Sequence, residues 1–144
     1  MSKSKDIGTR AETAVRNYLL SVGYSEHEAH RNILSGSQDK GDVWLRDKIY
    51  GLIVFEVKGG KTAKEASFEQ VQKWYKEAEL ERKNASANLG FLVCQRPGIG
   101  YPNAGKWWAY ATLGNLIKLS CGVSSNDQTL VRVNLSDLIK LIHG

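Results

Sequence analysis

Cysteine is scarce in this chain, with Cys94 and Cys121 as its two thiols. Neither is placed like a zinc ligand, and without a secretory signal both are expected to stay free instead of forming a structural disulfide. An uninterrupted apolar run is also missing. Met1-Ser2-Lys3-Ser4-Lys5-Asp6 leads straight into an amphipathic pattern, so neither a signal peptide nor a transmembrane span is read there, and a cytoplasmic protein without membrane contact is the expectation. No internal repeat or low-complexity block is visible. What is present is 42% hydrophobic content, enough for one compact domain over residues 1–144. The formal charge of +5 suits a polyanionic partner but is shared by many solvated surfaces, so it supports nucleic acid only weakly by itself.

Between Ile7 and Val22, the residues Ala11, Val15, Tyr18, Leu19 and Val22 recur at helical spacing, and Thr9 with Glu12 has the form of a capping box. The segment from Ala29 to Leu34 is ambiguous, and Ser35-Gly36-Ser37-Gln38-Asp39-Lys40-Gly41 reads as a loop. Asp42–Leu45 and Tyr50–Lys58 then read as two strands joined by a turn at Arg46-Asp47-Lys48. Gly59-Gly60-Lys61 stops the second strand. Ser67 opens another helix, ending near Asn84, with Phe68, Val71, Tyr75 and Ala78 as its apolar stripe. Gly90–Cys94 reads as a buried strand, Pro97–Gly105 as a loop and Lys106–Ala111 as a strand with Trp107 and Trp108 on opposite faces. Leu113–Leu119, Thr129–Val133 and Ser136–His143 add helix, strand and helix.

Chemistry concentrates in the first strand pair. Alternate side chains of a strand share a face, so Glu56 and Lys58 project together while Phe55 and Val57 enter the opposite layer. Folding the hairpin carries Asp42 toward Glu56. Two neighbouring carboxylates repel unless a cation neutralises them, and Mg²⁺ takes such hard oxygen ligands. Phosphodiester hydrolysis needs an activated water and stabilised phosphate charge, which a bound metal and an adjacent Lys58 supply.

A Glu-x-Lys triplet alone carries little information. Glu81-Arg82-Lys83 is a second copy, in a helical stretch where residues two apart do not face each other. The first copy differs in its setting: Gly-Asp before a strand, a buried hairpin, and a preceding helix whose Glu12 lies at the edge of the Val15–Leu19 stripe. The bland alternatives are a solvated hairpin with a surface ion pair for Asp42, Glu56 and Lys58, and a simple cap for Glu12. His27-Glu28-Ala29-His30 fails as a metalloprotease motif because its histidines are three apart, not four.

Glu12, Ser35-Gly36-Ser37, Gly41-Asp42 and Glu56-Val57-Lys58 together resemble the archaeal Holliday junction resolvases and their bacteriophage relatives in the PD-(D/E)xK superfamily, over roughly the first two thirds of the chain. Trp74, Glu77, Arg82 and Asn84 are similar to a helix of the phage proteins. The family's usual proline before the first Asp is Gly41 here. The resemblance implies an α/β, restriction-endonuclease-like core of helix, three-strand meander, helix and strand, its mixed central sheet flanked by helices. It also implies Mg²⁺ or Mn²⁺ held by Asp42, Glu56 and the Val57 carbonyl, with Glu12 a further member of the metal shell and Lys58 orienting or activating water. Arg31, Ser35, Ser37, Lys40, Lys61 and Arg82 are the expected DNA contacts. Gln70, one turn before Trp74, is a weaker candidate for the site, and Trp74 itself borders the apolar stripe and is better read as core. The implied activity is endonucleolytic cleavage of four-way or other branched DNA, in recombination or repair, in the host cytoplasm if phage-encoded. A two-fold homodimer with Trp107 or Trp108 as anchors would give the paired cuts. A nicking or restriction-like endonuclease, or a DNA-binding module with a degenerate acidic site, are the competing readings.

Overall fold

Helix α1 starts a full turn before its apolar stripe. In the structure, a computed structural model that describes residues 3–32 and 41–143, with side chains from residue 6 onward, α1 spans Lys3–Ser21. Thr9 and Glu12 therefore lie inside the helix, and the expected capping box does not form there. The extra turn is rewarded by packing: Ile7 and Ala11 press on the bare backbone of Gly60 and Gly59, where any side chain would collide with them. Ala11, Val15 and Leu19 are fully buried, as the stripe requires.

The ambiguous segment resolves into a short strand, β1 (Ala29–Arg31), followed by β2 (Val43–Asp47) and β3 (Gly51–Lys58). The turn comes later than expected, because Asp47 is the last residue of β2 and its carboxylate organises the turn into β3. Asp47 Oδ2 accepts from the Ile49 and Tyr50 N–H groups at 2.9 and 3.0 Å, and Oδ1 accepts from the buried Tyr24 hydroxyl at 2.8 Å. After β3 the chain forms a short helix, α2 (Gly60–Lys64), where only a stop was expected. Helix α3 (Phe68–Asn84) begins at the Ser67 cap, whose side chain accepts from the Gln70 N–H. Val71, Tyr75 and Ala78 are buried as expected, but Phe68, the first residue of the helix, is 63% exposed.

β4 (Leu89–Cys94), a 3₁₀ helix (Tyr101–Lys106) inside the expected loop, β5 (Trp108–Thr112), α4 (Leu113–Cys121), β6 (Leu130–Asn134) and α5 (Leu135–His143) complete the chain. The six strands form one mixed sheet in the order β1-β2-β3-β4-β5-β6. β3 and β4 are parallel, connected through α2 and α3, and the other neighbours are antiparallel. One face, with Phe55, Val57, Phe91 and Val93, packs into a core with α1 and α5. The opposite face, with Leu92, Cys94 and Tyr110, packs against Val71, Trp74 and Tyr75 of α3. Trp107 and Trp108 do take opposite sides: Trp107 is fully buried and donates its indole N–H to the Ile99 carbonyl at 3.0 Å. Closed inside its own chain, Trp107 is not available to anchor a partner. Both cysteines are free, Cys94 buried and Cys121 exposed. Among the described residues no helix is long and apolar enough to cross a membrane.

Candidate active site

Asp42 owes its position to the residue before it and to the strand across from it. Gly41 has φ +90°, and a Cβ there would lie 3.1 Å from that of Val54, so proline, with φ fixed near −65°, does not fit. Glycine at this position thus has a backbone cause. The β2–β3 register pairs Val43 with Phe55, and one step further it sets Asp42 opposite Glu56. Asp42 donates its N–H to the Phe55 carbonyl at 3.0 Å, and its Oδ2 accepts the Val57 N–H at 2.8 Å. In a strand the N–H and C=O of one residue leave by the same edge, so the Val57 carbonyl also faces the Asp42 side.

Glu56 is 5% exposed. Its carboxyl is pushed up to about 8, chiefly by burial; the hydrogen bond to Asp42 and the charge of Lys58 act downward, while a hydrogen bond and like charge from Glu81 act upward. Lys58 closes β3 on the same face as Glu56, with its ammonium 5.5 Å from the centroid of the Trp74 ring. Trp74 is both core and wall, since it packs in the α3 layer and lines the same cavity as Lys58. That cavity, about 450 Å³, also takes in Glu12, Asp42, Glu56, Val57 and Lys61.

The expected residues divide by environment. Asp42, Glu56, Val57 and Lys58 meet at the end of β3, Glu12 reaches the same space from α1, and Lys61 stands exposed at its mouth. Glu12 is also bound to Arg31, whose guanidinium lies 3.1 Å from Glu12 Oε1, so the Arg31 charge is directed at a carboxylate. Arg82 lies outside the cavity: it pairs with Glu79 at 2.8 Å, donates to the Ala87 carbonyl at 3.0 Å and packs over Gly90. Gln70 does not line the cavity either. Ser35, Ser37 and Lys40 fall outside the described residues.

Two members of the site are not signalled by the sequence pattern. Glu81 belongs to the second Glu-x-Lys triplet, yet it is buried against Glu56. The signal that could have found it is position: it continues the Val71–Tyr75–Ala78 face by one turn, where a carboxylate is unexpected. Gln95, also buried, ties the strand ends together by donating its backbone N–H to the Lys58 carbonyl at 2.9 Å and accepting the Gly60 N–H on Oε1 at 2.8 Å. It comes directly after the apolar run of β4, and nothing in periodicity distinguishes it from a loop residue.

The donors gathered here are hard oxygens: the carboxyls of Asp42 and Glu56, with Glu81 behind them, and a main-chain carbonyl. Among the described residues no group of three or more His, Cys, Asp or Glu side chains converges as a complete ligand cage. This donor set fits Mg²⁺, which typically takes one or two carboxylates and keeps several waters, and fits poorly an ion that demands a full protein shell. No family model, no curated protein and no solved structure matches this chain.

Proposed function

We propose that this protein is a metal-dependent DNA endonuclease of the PD-(D/E)xK type, acting on four-way or other branched DNA. The observation that carries the reading is the register that sets Asp42 opposite Glu56, with Lys58 on the same strand face and all three in one cavity. The succession α1, β1–β2–β3, α3, β4, with β4 parallel to β3, has the order expected of a restriction-endonuclease-like core and supports it.

Mg²⁺ or Mn²⁺ would be held by Asp42, Glu56 and the Val57 carbonyl, and would supply charge neutralisation at the phosphate and a more acidic water. The protein's own part is positional. The Val57 N–H fixes the Asp42 carboxylate, so it does not have to be ordered when substrate arrives. Burial of Glu56 beside Glu81 favours its neutral form until a cation is present, which couples cation binding to proton release. Lys58, carried on a strand and lying over Trp74, presents its ammonium to the negative charge that builds on a phosphate in the cavity. Glu12, held by Arg31, is a positioning residue at the cavity wall.

The test is cleavage of a labelled four-way junction, with duplex and single strand of equal length beside it, with and without Mg²⁺. Metal-dependent cutting confined to the junction supports the full reading. Metal-dependent cutting of duplex or single strand with no junction preference makes this a nicking or restriction-like endonuclease. Binding without cutting leaves a DNA-binding module. Paired cuts require two metal sites, so the proposed working unit is a homodimer; light scattering of the complex is expected to give the mass of two chains plus one junction.

A further inference from the structure

The row of side chains that begins at Lys58 continues across the sheet. Register partners share a face, and the pairings Lys58 with Cys94, Cys94 with Trp108 and Trp108 with Asn134 lay one row over β3, β4, β5 and β6. This row is the rim: Lys58, Cys94 and Asn134 end their strands, and Trp108 begins its own. With strands ~4.8 Å apart, Trp108 stands about 10 Å from Lys58 along it.

Trp108 is half-buried, and the guanidiniums of Arg96 and Arg132 each lie 3.9 Å from its ring centroid. Arg96 comes from just beyond β4 and Arg132 from β6, on either side of β5, so the indole is held between them. With both faces covered, Trp108 is not a platform for a base. Arg96 donates to Asn134 Oδ1 at 3.2 Å, and Arg132 is hydrogen-bonded to Tyr110. Among the described residues neither has a carboxylate within ion-pair range, in contrast to Arg31 and Arg82. Two like charges are thus oriented without a neutralising carboxylate among the described residues. A guanidinium lying flat on an aromatic ring keeps its N–H groups around its edge, the geometry that takes phosphate oxygens two at a time.

We propose that the Arg96–Trp108–Arg132 stack is a second contact for the phosphate backbone of the DNA whose scissile bond lies at Lys58. This deepens the nuclease reading and rests on it. At that separation the stack lies within one or two phosphates of the cut along the same strand, so it holds the substrate arm close to the scissile bond and fixes its direction over the sheet rim.

The experiment measures the affinity of the full chain for a labelled four-way junction and a duplex, in EDTA, over a range of salt. Wild type is compared with Arg96→Gln, Arg132→Gln, the double Gln variant and the double Lys variant, and each is melted to check folding. Each single Gln variant is expected to weaken binding several-fold and to flatten the log-affinity against log-salt slope by about 0.9 per lost phosphate contact. The double Gln variant is expected to lose at least tenfold, and the double Lys variant to recover much of the slope because it keeps the charge. The single variants carry the test if the double variant does not fold. Unchanged affinity and slope in folded Gln variants, while wild type still cuts DNA, would overturn the stack alone. Wild type that binds but never cuts in Mg²⁺, with binding lost in the Gln variants, would uphold the stack and overturn the nuclease. Folded wild type that binds no DNA would overturn both.

Discussion

The chain contains two Glu-x-Lys triplets, one on strand β3 and one on helix α3, and the pair shows how secondary structure decides what a short motif means. On β3 the period of two puts Glu56 and Lys58 on one face, in one cavity. On α3 the period of 3.6 turns Glu81 into the protein and leaves Lys83 exposed, with Arg82 between them bound to Glu79. The helical triplet is therefore no second copy of the site. It is split, and its acid has become part of the first copy, because α3 packs on the face that Glu56 occupies. Residue types at a spacing propose chemistry; the packing of the element that bears them disposes of it.

The sharpest way to break this comparison is to remove the acids of the strand site. Asp42→Asn and Glu56→Gln each delete a proposed metal-binding charge with little change in volume, and each is expected to lower cleavage by on the order of a thousandfold. DNA affinity in EDTA should change little. Activity above a few per cent of wild type in either variant would end the assignment of that residue. Lys58→Ala should cost somewhat less, on the order of a hundredfold in turnover, and metal affinity measured by calorimetry should survive, since an ammonium is not a ligand. Lost metal affinity as its main defect would contradict the role given to Lys58.

A smaller effect sharpens the link between the two triplets. Glu56 has an ordinary value near 4.5 and is raised to about 8 in the fold. An acid raised in this way binds its proton more tightly folded than unfolded. Its contribution to stability is full below pH 4.5 and is lost as pH climbs through the window up to about 8, at roughly 1.4 kcal/mol per unit at the steepest. Thermal melts of the metal-free protein from pH 5 to 8 should therefore fall, and Glu56→Gln should flatten the trend. Glu81→Gln, which removes the like charge but not the burial, should flatten it only in part. A metal-free melting profile that is level across this range in wild type would show that Glu56 is not held as described. Added Mg²⁺ should offset the fall most at the alkaline end, where fewer protons must be displaced.

The shared face of Glu56 and Lys58, the Ser67 cap of α3 and the strand character of β4 are legible in the sequence, because each rests on local pattern or a single capping residue, and the hairpin pattern of β2 and β3 carries Asp42 toward Glu56. Features that depend on contact between distant segments are not. The start of α1 is set by Ile7 packing on Gly60, which no window around Thr9 contains. The turn after β2 is set by Asp47 serving Tyr24 as well as its own loop. Glu81 is hidden by a correct local rule, that residues two apart on a helix diverge, because the rule does not say which of the two faces the sheet. The charge of Arg31 is likewise readable, but its commitment to Glu12, nineteen positions away, is not.

The smallest expected effect is the strictest check on the comparison. Lys83 is the helical counterpart of Lys58 in sequence, but it is exposed and lines none of the cavity around Glu56. It stands in the last turn of α3, where an exposed cation typically gains no more than about 1 kcal/mol from the helix dipole, so truncating it should cost little stability. Lys83→Ala should therefore melt close to wild type, cut DNA at the wild-type rate with the same Mg²⁺ dependence, and bind it within about twofold at moderate salt. The comparison with Lys58→Ala is then direct: the same substitution in the same three-residue motif, with turnover lost in one and kept in the other. A tenfold or greater loss of cleavage in a folded Lys83→Ala protein would mean that the helical triplet carries chemistry of its own, and that Glu81 faces Glu56 as one half of a working pair and not as a buried neighbour.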